Sequence, residues 1–245
     1  METSSYIALS RQGGLEREME VVAHNIANMN SSGFKGDRMM FVQHLVKSQN
    51  DQSFVPTKLA FSRDVAEYKD LAEGPITETG NTFNFAVRND GYFVAQDQNG
   101  GQLYTRNGNF TVDSSGQLVT QTGQPVLSNG GAPIFFSPQD TDITVSKDGT
   151  ISTKTGTLGK LQVVRFDDQQ QMKQEANGFL STDQAPQPVA SPTVIQGALE
   201  GSNVQPVLEI SRMIDVHRAY ESVKNFIDSE DQRQKMMIQQ LGGTA

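Results

Sequence analysis

The sequence predicts an α+β protein in which N- and C-terminal coiled-coil helices flank an antiparallel all-β central domain. Two observations lead to this class. Near both ends of the chain, apolar residues recur every three or four positions, which is the spacing of one face of a helix. Between residues 83 and 164 they alternate with a period of two, and dipeptides such as Asn-Gly and Asp-Gly interrupt the runs, as they do in β-hairpins.

The N-terminal helix is indicated by an apolar stripe between residues 15 and 29. Its members are Leu15, Met19, Val22, Ile26 and Met29. This is the spacing of a heptad seam, and residues 30–33 supply the polar side chains and the glycine that commonly end a helix. We therefore expect a helix that is most secure from about residue 15 to residue 28.

A second stripe predicts a C-terminal helix over 206–241, with Pro206 in its first turn, where proline is tolerated. Its apolar members are Met213, Val216, Tyr220, Val223 and Ile227, and Glu230, Gln234, Met237 and Leu241 continue in phase. A helix of this length is typical of a coiled coil. The two stripes would pack against each other within the chain or against helices of neighbouring subunits.

The predicted division of the chain has four parts. These are the N-terminal coiled-coil helix with the turn after it (1–42), an extended linker (43–81), the β domain (82–200) and the C-terminal coiled-coil helix (201–245). The linker contains Pro56 and Pro75 and few paired apolar positions, and a short helix is expected within it, near residues 64–71.

Composition and charge exclude several classes of protein. The 245 residues include no cysteine, which excludes disulfides, thiolate metal sites and a cysteine nucleophile. The formal net charge is −8 and the basic residues are dispersed, which argues against nucleic acid as a partner. The N-terminus lacks the basic and apolar regions of a secretory signal, and no apolar run approaches the roughly 18 residues of a membrane span. We expect no cleaved signal peptide and no membrane insertion, and these features alone predict a cytosolic protein.

No pattern of residues predicts an active site. The histidines are His24, His44 and His217, and none lies at the spacing of a paired metal ligand. Residues 155–160 resemble a phosphate-binding loop only faintly, because the first glycine is displaced and Leu161 stands where Ser or Thr would bind Mg²⁺. We expect no cofactor, no metal and no catalytic residue, and hence no enzyme.

Three groups of short stretches resemble the flagellar rod and hook protein family. The first is His-Asn-Ile-Ala-Asn at 24–28, followed by Ser-Ser-Gly-Phe-Lys at 31–35 and Arg38. The second is Gly-Tyr-Phe-Val at 91–94 with Tyr-Thr-Arg-Asn-Gly-Asn-Phe at 104–110. The third is Leu-Glu-Gly-Ser-Asn-Val at 199–204, with Pro206 and Val207 after it. Because these stretches follow in order along nearly the whole chain, it is identified as a member of that family.

The resemblance implies a structural subunit of the rod, the drive shaft that carries motor torque through the periplasm. The chain is most similar to the proximal rod type, with the distal rod type as the alternative. The resemblance also implies helical assembly with copies of itself and with other flagellar rod proteins. It further implies export through the flagellar type III export apparatus, without a cleaved signal peptide, to the flagellum basal body. That location replaces the cytosolic expectation.

The residues expected at the assembly interface combine the two stripes with the motifs of the family. They are Leu15, Met19, Val22, Asn25, Ile26, Asn28, Gly33, Phe34, Lys35, Arg38, Ser202, Asn203, Met213, Val216, Tyr220, Val223 and Ile227. Lys35 and Arg38 are either solvated charges or, as a hypothesis, partners of acidic residues on an adjacent subunit.

Two other classes of protein remain open from the residues alone. A cell-wall carbohydrate-binding or hydrolytic β domain on helical arms would need a carboxylate pair in a cleft, and the sequence singles out none. A soluble coiled-coil adaptor would need only the two helical stripes.

Overall fold

The computed structural model describes residues 2–47 and 58–242, with side chains at 5–40 and 66–240. The chain forms two compact units. The helical unit consists of Met1–Ala27, Asp37–Lys69 and Gln205–Ala245, and the β unit consists of Asn28–Gly36 and Asp70–Val204. Each unit is therefore built from segments that are distant in the sequence.

Two long helices make up most of the helical unit. Helix α1 spans Glu2–Ala27 and helix α2 spans Pro206–Gly242. Gln12 contacts Tyr220 and Glu18 contacts Arg212, so the two helices run antiparallel. Both helices lie where the apolar stripes predict them, and α1 begins already at Glu2. Among the described residues, no helix has the length and apolar character needed to cross a membrane.

A β-hairpin completes the helical unit. Strand β1, Asp37–Lys47, pairs antiparallel with strand β2, Lys58–Lys69. The structure therefore differs from the extended linker predicted over 43–81, and the helix predicted near 64–71 is wrong. Between the pairs Met40–Ala66 and Phe41–Asp64 the register skips Val65, so a bulge in β2 interrupts the alternation that marks a strand in a sequence. The part of the linker prediction at 48–57 lies outside the described residues.

Short antiparallel strands make up the β unit. They are β3 (Ile76–Glu78), β4 (Phe85–Arg88), β5 (Tyr92–Gln96), β6 (Gln102–Thr105), β7 (Phe110–Val112), β8 (Leu118–Thr120), β9 (Thr144–Val145), β10 (Thr150–Thr153), β11 (Gly156–Lys160), β12 (Val163–Arg165), β13 (Lys173–Gln174), β14 (Leu180–Ser181), β15 (Gln187–Pro188), β16 (Thr193–Gln196) and β17 (Ala198–Glu200). The largest sheet has the order β13-β14-β6-β5-β12-β15, while β4 pairs with β16 and β3 with β17. The helices and the antiparallel strands confirm the predicted fold class.

Two apolar clusters form the core of the β unit. The larger includes Phe93 and Phe110, whose rings pack edge to face with centroids 5.3 Å apart. The second includes Tyr92 and Val94, with Phe166 packed against Tyr92. Consecutive residues of β5 thus enter different clusters, because successive side chains of a strand point to opposite faces of the sheet. The alternating runs of the sequence supply both clusters.

Candidate functional site

The predicted interface residues of the two helices lie on one side of each helix. On α1, Val22 is buried and Leu15, Met19 and Ile26 are partly buried. On α2, Val216 is buried and Met213, Tyr220, Val223 and Ile227 are partly buried. The Tyr220 hydroxyl accepts a hydrogen bond from Gln12 Nε2 at 3.1 Å, which places the α2 stripe against α1. The structure therefore packs the two stripes together within one chain.

An ion pair at the edge of this packing holds the register of the helices. Arg212 donates to Glu18 Oε1 through Nε at 3.1 Å and through Nη2 at 2.9 Å. The Arg212 side chain is partly exposed, so solvent screens the pair, and such pairs contribute up to about 1 kcal/mol. Its main effect is geometric, since it fixes which turns of α1 and α2 are adjacent.

Asn25 joins the end of α1 to the start of β1. Its Nδ2 donates to the Asp37 carbonyl at 2.8 Å, and its Oδ1 accepts the Asp37 N–H at 2.9 Å. The side-chain amide thus pairs with the first residue of β1 as a neighbouring strand would, and it satisfies that backbone where it is buried. Nδ2 also lies 3.4 Å from Glu209 Oε2, which brings α2 into the same contact.

Two carboxylates complete the polar cluster around Asn25. Glu209 is buried and accepts a hydrogen bond from Arg38 Nη1 at 3.0 Å. Asp37 lies 2.8 Å from Lys69 Nζ and 3.3 Å from His24 Nδ1. Arg38 therefore pairs with an acidic residue of its own chain and is not simply a solvated charge, while its pairing with an adjacent subunit stays a prediction.

The turn after α1 belongs to the β unit and is shaped by Gly33. This residue has φ +71°, a conformation that glycine adopts without strain. A Cβ at this position would lie 2.5 Å from the Arg106 carbonyl carbon, so the backbone of the turn approaches that of β6's end too closely for any side chain. The Gly33 N–H donates to the Glu200 carbonyl at 2.8 Å, and the Ser31 N–H donates to Asn28 O at 3.1 Å within the turn. Phe34 is buried beside them.

Glu200 is the centre of a buried charge cluster in the β unit. Its Oε1 lies 2.5 Å from Lys35 Nζ and accepts the Gly74 N–H at 3.1 Å. Its Oε2 lies 3.3 Å from Arg106 Nη1. Lys35 also donates to the Ala72 carbonyl at 2.8 Å. One carboxylate therefore joins a lysine from the turn after α1 and an arginine from the end of β6.

Arg106 uses its remaining groups on the neighbouring strands. Nη1 donates to the Val87 carbonyl at 3.0 Å and Nη2 donates to the Asn89 carbonyl. The guanidinium carbon lies 5.2 Å from the centre of the Tyr92 ring, at a cation–π distance. Arg106 thus fixes the chain around the end of β4 to the charge cluster.

Burial shifts the pKa of Lys35 and of Tyr92, in opposite directions. Desolvation lowers the pKa of Lys35 below that of a free lysine, and the adjacent Glu200 offsets only part of this effect. Burial likewise raises the pKa of Tyr92 against the opposing influence of Arg106. Lys35 is buried and paired with Glu200, so it is not a solvated charge, while its pairing with an adjacent subunit stays a prediction.

Asn203 holds the turn through its side-chain amide. Its Oδ1 accepts the Gly36 N–H at 2.8 Å, and its Nδ2 donates to the Asp70 carbonyl at 2.7 Å. Ser202, which is buried, accepts the Val204 N–H at 3.2 Å. Gly33, Lys35, Ser202 and Asn203 were predicted as interface residues, and the structure gathers them into contacts within the chain.

Glu200, Glu209 and Arg106 were missed as site residues. Two of them stand in the motifs that carry the family resemblance, at 199–204 and 104–110. Glu200 contacts Arg106 and Lys35, which are 94 and 165 residues away in the sequence. Glu209 contacts Arg38, which is 171 residues away. An isolated charged residue gives no sequence signal of such a partner, so spacing alone could not have found them.

Large apolar side chains remain exposed on both helices. Val207 is 75% exposed at the start of α2, and Ile238 is 70% exposed near its end, with Met236 beside it. Tyr6 and Leu9 are exposed near the start of α1. Met236 and Ile238 are two positions apart and therefore face different sides of α2, and exposed apolar patches commonly mark interaction sites.

Helix α2 extends past the beginning of α1. The pairs Glu18 with Arg212 and Gln12 with Tyr220 place Glu2 opposite about residue 230, since each residue rises about 1.5 Å along either helix. Helix α2 continues to Gly242, so about three of its turns lie beyond α1. The apolar stripe of α2 reaches into this extension through Met237.

Metal and histidine chemistry have little support in the described residues. No group of three or more His, Asp or Glu side chains there could hold a metal ion. His24 lies beside Asp37 and His217 lies 4.0 Å from Glu221 on α2. The side chain of His44 is outside the described set.

One unit pairs the two terminal helices, the other is built of antiparallel strands, and each contains its own buried polar cluster. Three family descriptions match the chain: "Flagella basal body rod protein" at 6–35, "Flagellar hook protein FlgE/F/G D1 domain" at 86–153 and "Flagellar basal body rod FlgEFG protein C-terminal" at 195–240. The matches cover the helices and the β unit alike.

Relatives that span the whole chain narrow the assignment. The flagellar basal-body rod protein FlgF of Caulobacter vibrioides is 39% identical over 99% of both chains, and that of Rhizobium meliloti is 34% identical over 100% of both. The rod protein FlgG of Caulobacter vibrioides is 31% identical over 92% of this chain and 94% of its own. The chain therefore belongs to the flagellar basal-body rod protein family, and within it to the FlgF type. It is a structural subunit of the rod in the flagellar basal body.

Proposed function

We propose that this rod subunit assembles with copies of itself and with other flagellar axial proteins through the exposed apolar surface of its helices. The observation that carries the proposal is the extension of α2 past α1, with Met236 and Ile238 exposed on it. Burial of such side chains against a neighbouring helix removes apolar area from water at about 25 cal/mol per Å².

In this proposal the predicted interface residues support assembly indirectly, by holding the helices and the turn in place. The stripe residues and Asn25 hold α1 and α2 in a fixed register, and the Gly33, Lys35 and Asn203 contacts hold the turn after α1. Because the helix pair is already ordered, binding to a neighbour loses less conformational entropy. Repeated head-to-tail contacts with an axial shift then form a helical tube that can transmit motor torque.

A double substitution on the extension tests the assembly surface. Met236→Glu with Ile238→Glu should abolish incorporation into basal bodies, because it places charges where the contact needs apolar groups. The matched control is Gln239→Glu with Gln240→Glu, which adds the same charges to the same turns and removes no apolar side chain. Incorporation is measured by immunoblotting of isolated basal bodies.

Two results separate a failed contact from a failed fold. The purified double variant should unfold at the temperature of the wild-type chain, since both substituted residues are exposed. Wild-type incorporation of the variant contradicts the proposed surface, and so does equal loss in the control.

The proposed route to the rod is the flagellar type III export apparatus, without removal of an N-terminal signal. The support is that the chain belongs to the flagellar basal-body rod protein family, and the resemblance to that family implies this route. The chain extracted from basal bodies should keep its N-terminal segment in an intact-mass measurement. A shortened N-terminus would contradict this route.

The proposed role is mechanical and includes no catalytic step. Its support is the family's structural role and the use of the buried charges in contacts within the chain. Purified chain incubated with peptidoglycan should release no soluble fragments. Release that depends on the native chain would favour the hydrolytic alternative.

A further inference from the structure

Residues 198–203, which we call the latch segment, lie between two earlier segments of the β unit. On one side β17 pairs with β3, and Gly201 N–H donates to the Pro75 carbonyl at 2.8 Å. On the other side the Glu200 carbonyl accepts the Gly33 N–H at 2.8 Å, and Asn203 N–H donates to the Phe34 carbonyl at 3.3 Å. The latch segment therefore contacts both 28–36 and 70–78 through its backbone.

Side chains of the latch segment reach the same two neighbours. Glu200 accepts from Lys35 on one side and from the Gly74 N–H on the other. Asn203 accepts from the Gly36 N–H and donates to the Asp70 carbonyl. Gly74 packs closely on Gly201, because a Cβ added at Gly74 would lie 2.0 Å from the Gly201 carbonyl oxygen, so the backbones approach too closely for a side chain there.

The apolar core of the β unit is built without these three segments. The buried members of both apolar clusters come from residues 85–194, and none belongs to 28–36, 70–78 or 198–203. Burial of apolar side chains can therefore order the core strands on its own. Docking of the three outer segments buries Phe34 and Ala198 outside these clusters, and it depends further on hydrogen bonds and on the charge of Glu200.

We infer that the latch segment controls the docking of the turn at 28–36 and of residues 70–78, with the Glu200 carboxylate as the decisive group. Lys35 and Arg106 are buried beside it, and a buried cation without its counterion is strongly destabilising. The turn therefore gains its buried position only once Glu200 is in place. When the chain is synthesised from its N-terminus, the turn at 28–36 can therefore dock only after Glu200, 165 residues beyond Lys35, has been made.

Hydrogen exchange of the full chain tests the latch with the substitution Glu200→Gln. This change keeps the size of the side chain and removes the charge. Exchange in 28–36 and 70–78 should accelerate by about 10-fold or more, while exchange in the core strands β4 and β5 stays within about twofold. The matched control is Glu78→Gln, an exposed residue on the strand that pairs with β17, and it should leave all rates unchanged.

A second variant separates the two sides of the latch. Lys35→Met removes the charge partner on the turn and leaves Glu200 paired with Arg106. Exchange should accelerate more in 28–36 than in 70–78, where Lys35 contributes only its hydrogen bond to the Ala72 carbonyl. Acceleration of both segments to the same degree would contradict the central position of Glu200.

Two outcomes of the Glu200→Gln experiment overturn the inference. They are wild-type exchange in 28–36 and 70–78, and an equal acceleration of those segments and the core strands. If the variant does not fold, pulse labelling during refolding of the wild-type chain decides. Residues 28–36 should become protected together with 198–203 and after β5, and earlier protection of 28–36 overturns the latch.

Discussion

In this protein, single polar side chains connect backbone segments that are distant in the sequence. Asn25 pairs with both backbone groups of Asp37, and Asn203 bridges Gly36 and Asp70. Each amide offers a donor and an acceptor, so it can satisfy a strand end that no neighbouring strand covers. Aspartate has a side chain of the same length, but its ionised carboxylate only accepts hydrogen bonds and cannot replace the amide.

Substitution of Asn25 should destabilise the helical unit. Asn25→Ala leaves the N–H and carbonyl of Asp37 buried without their partners, and we expect a loss of about 2–3 kcal/mol in the free energy of unfolding. The measurement is urea denaturation followed by circular dichroism. The control Asn225→Ala, at an exposed position of α2, should cost less than about 0.5 kcal/mol. Equal costs for both variants would refute the role of Asn25.

Two glycines with nearly the same φ angle make it possible to separate the cost of backbone strain from the cost of a steric clash. Gly33 has φ +71° and Gly80 has φ +70°, but a Cβ would meet Arg106 at Gly33 and nothing within 4 Å at Gly80. Gly80→Ala should cost about 1 kcal/mol from the backbone angle alone. Gly33→Ala should cost about 3 kcal/mol or more, measured by thermal unfolding, because it adds a backbone clash. Similar costs would show that the turn is not held against Arg106.

At the level of helices and strands, the periodicity of apolar residues predicted the elements whose form depends on which of their faces is buried. The stripes of α1 and α2 follow the spacing of a helix that buries one face, and the runs of β5 follow the pleat of a strand buried on both faces. The hairpin of β1 and β2 was missed, because its bulge breaks the period of two. The charge clusters were missed since their members are far apart in the sequence and only the fold brings them together.

Two valines of α2 test which face of the helix packs on α1. Val216 is 6% exposed and Val207 is 75% exposed. Val216→Ala removes buried methyl groups and should cost about 1–2 kcal/mol in unfolding free energy, measured by urea denaturation. Val207→Ala should change the stability by less than about 0.5 kcal/mol. A larger cost at Val207 would place the packed face elsewhere.

The stability of the folded chain should depend on pH in the alkaline range in a predictable direction. Burial raises the pKa of both Tyr92 and Tyr104 above the ordinary 10.0. The unfolded chain then releases these protons first, so their contribution is complete below pH 10 and is lost as the pH rises above it. The lowered pKa of Lys35 has the opposite sign, adding stability as the pH rises toward 10.5.

The variant Tyr104→Phe isolates one part of this dependence. Its urea midpoint should fall less than that of the wild-type chain between pH 9 and pH 11, because phenylalanine has no proton to lose. The control is Tyr6→Phe, whose ring is exposed, and it should follow the wild-type curve. Identical curves for all three chains would contradict the assignment of the alkaline loss to buried tyrosine.

The buried charges of each unit pair within the chain, and the exposed apolar side chains of the helices form the surface that we propose for neighbouring subunits. Electron cryotomography of basal bodies tests this most directly, in cells that lack the chain and are complemented with either the wild-type or the Met236→Glu, Ile238→Glu form. We predict incomplete rods without the chain, complete rods with the wild type and incomplete rods with the double variant. Complete rods in cells that lack the chain would contradict its role as a rod subunit.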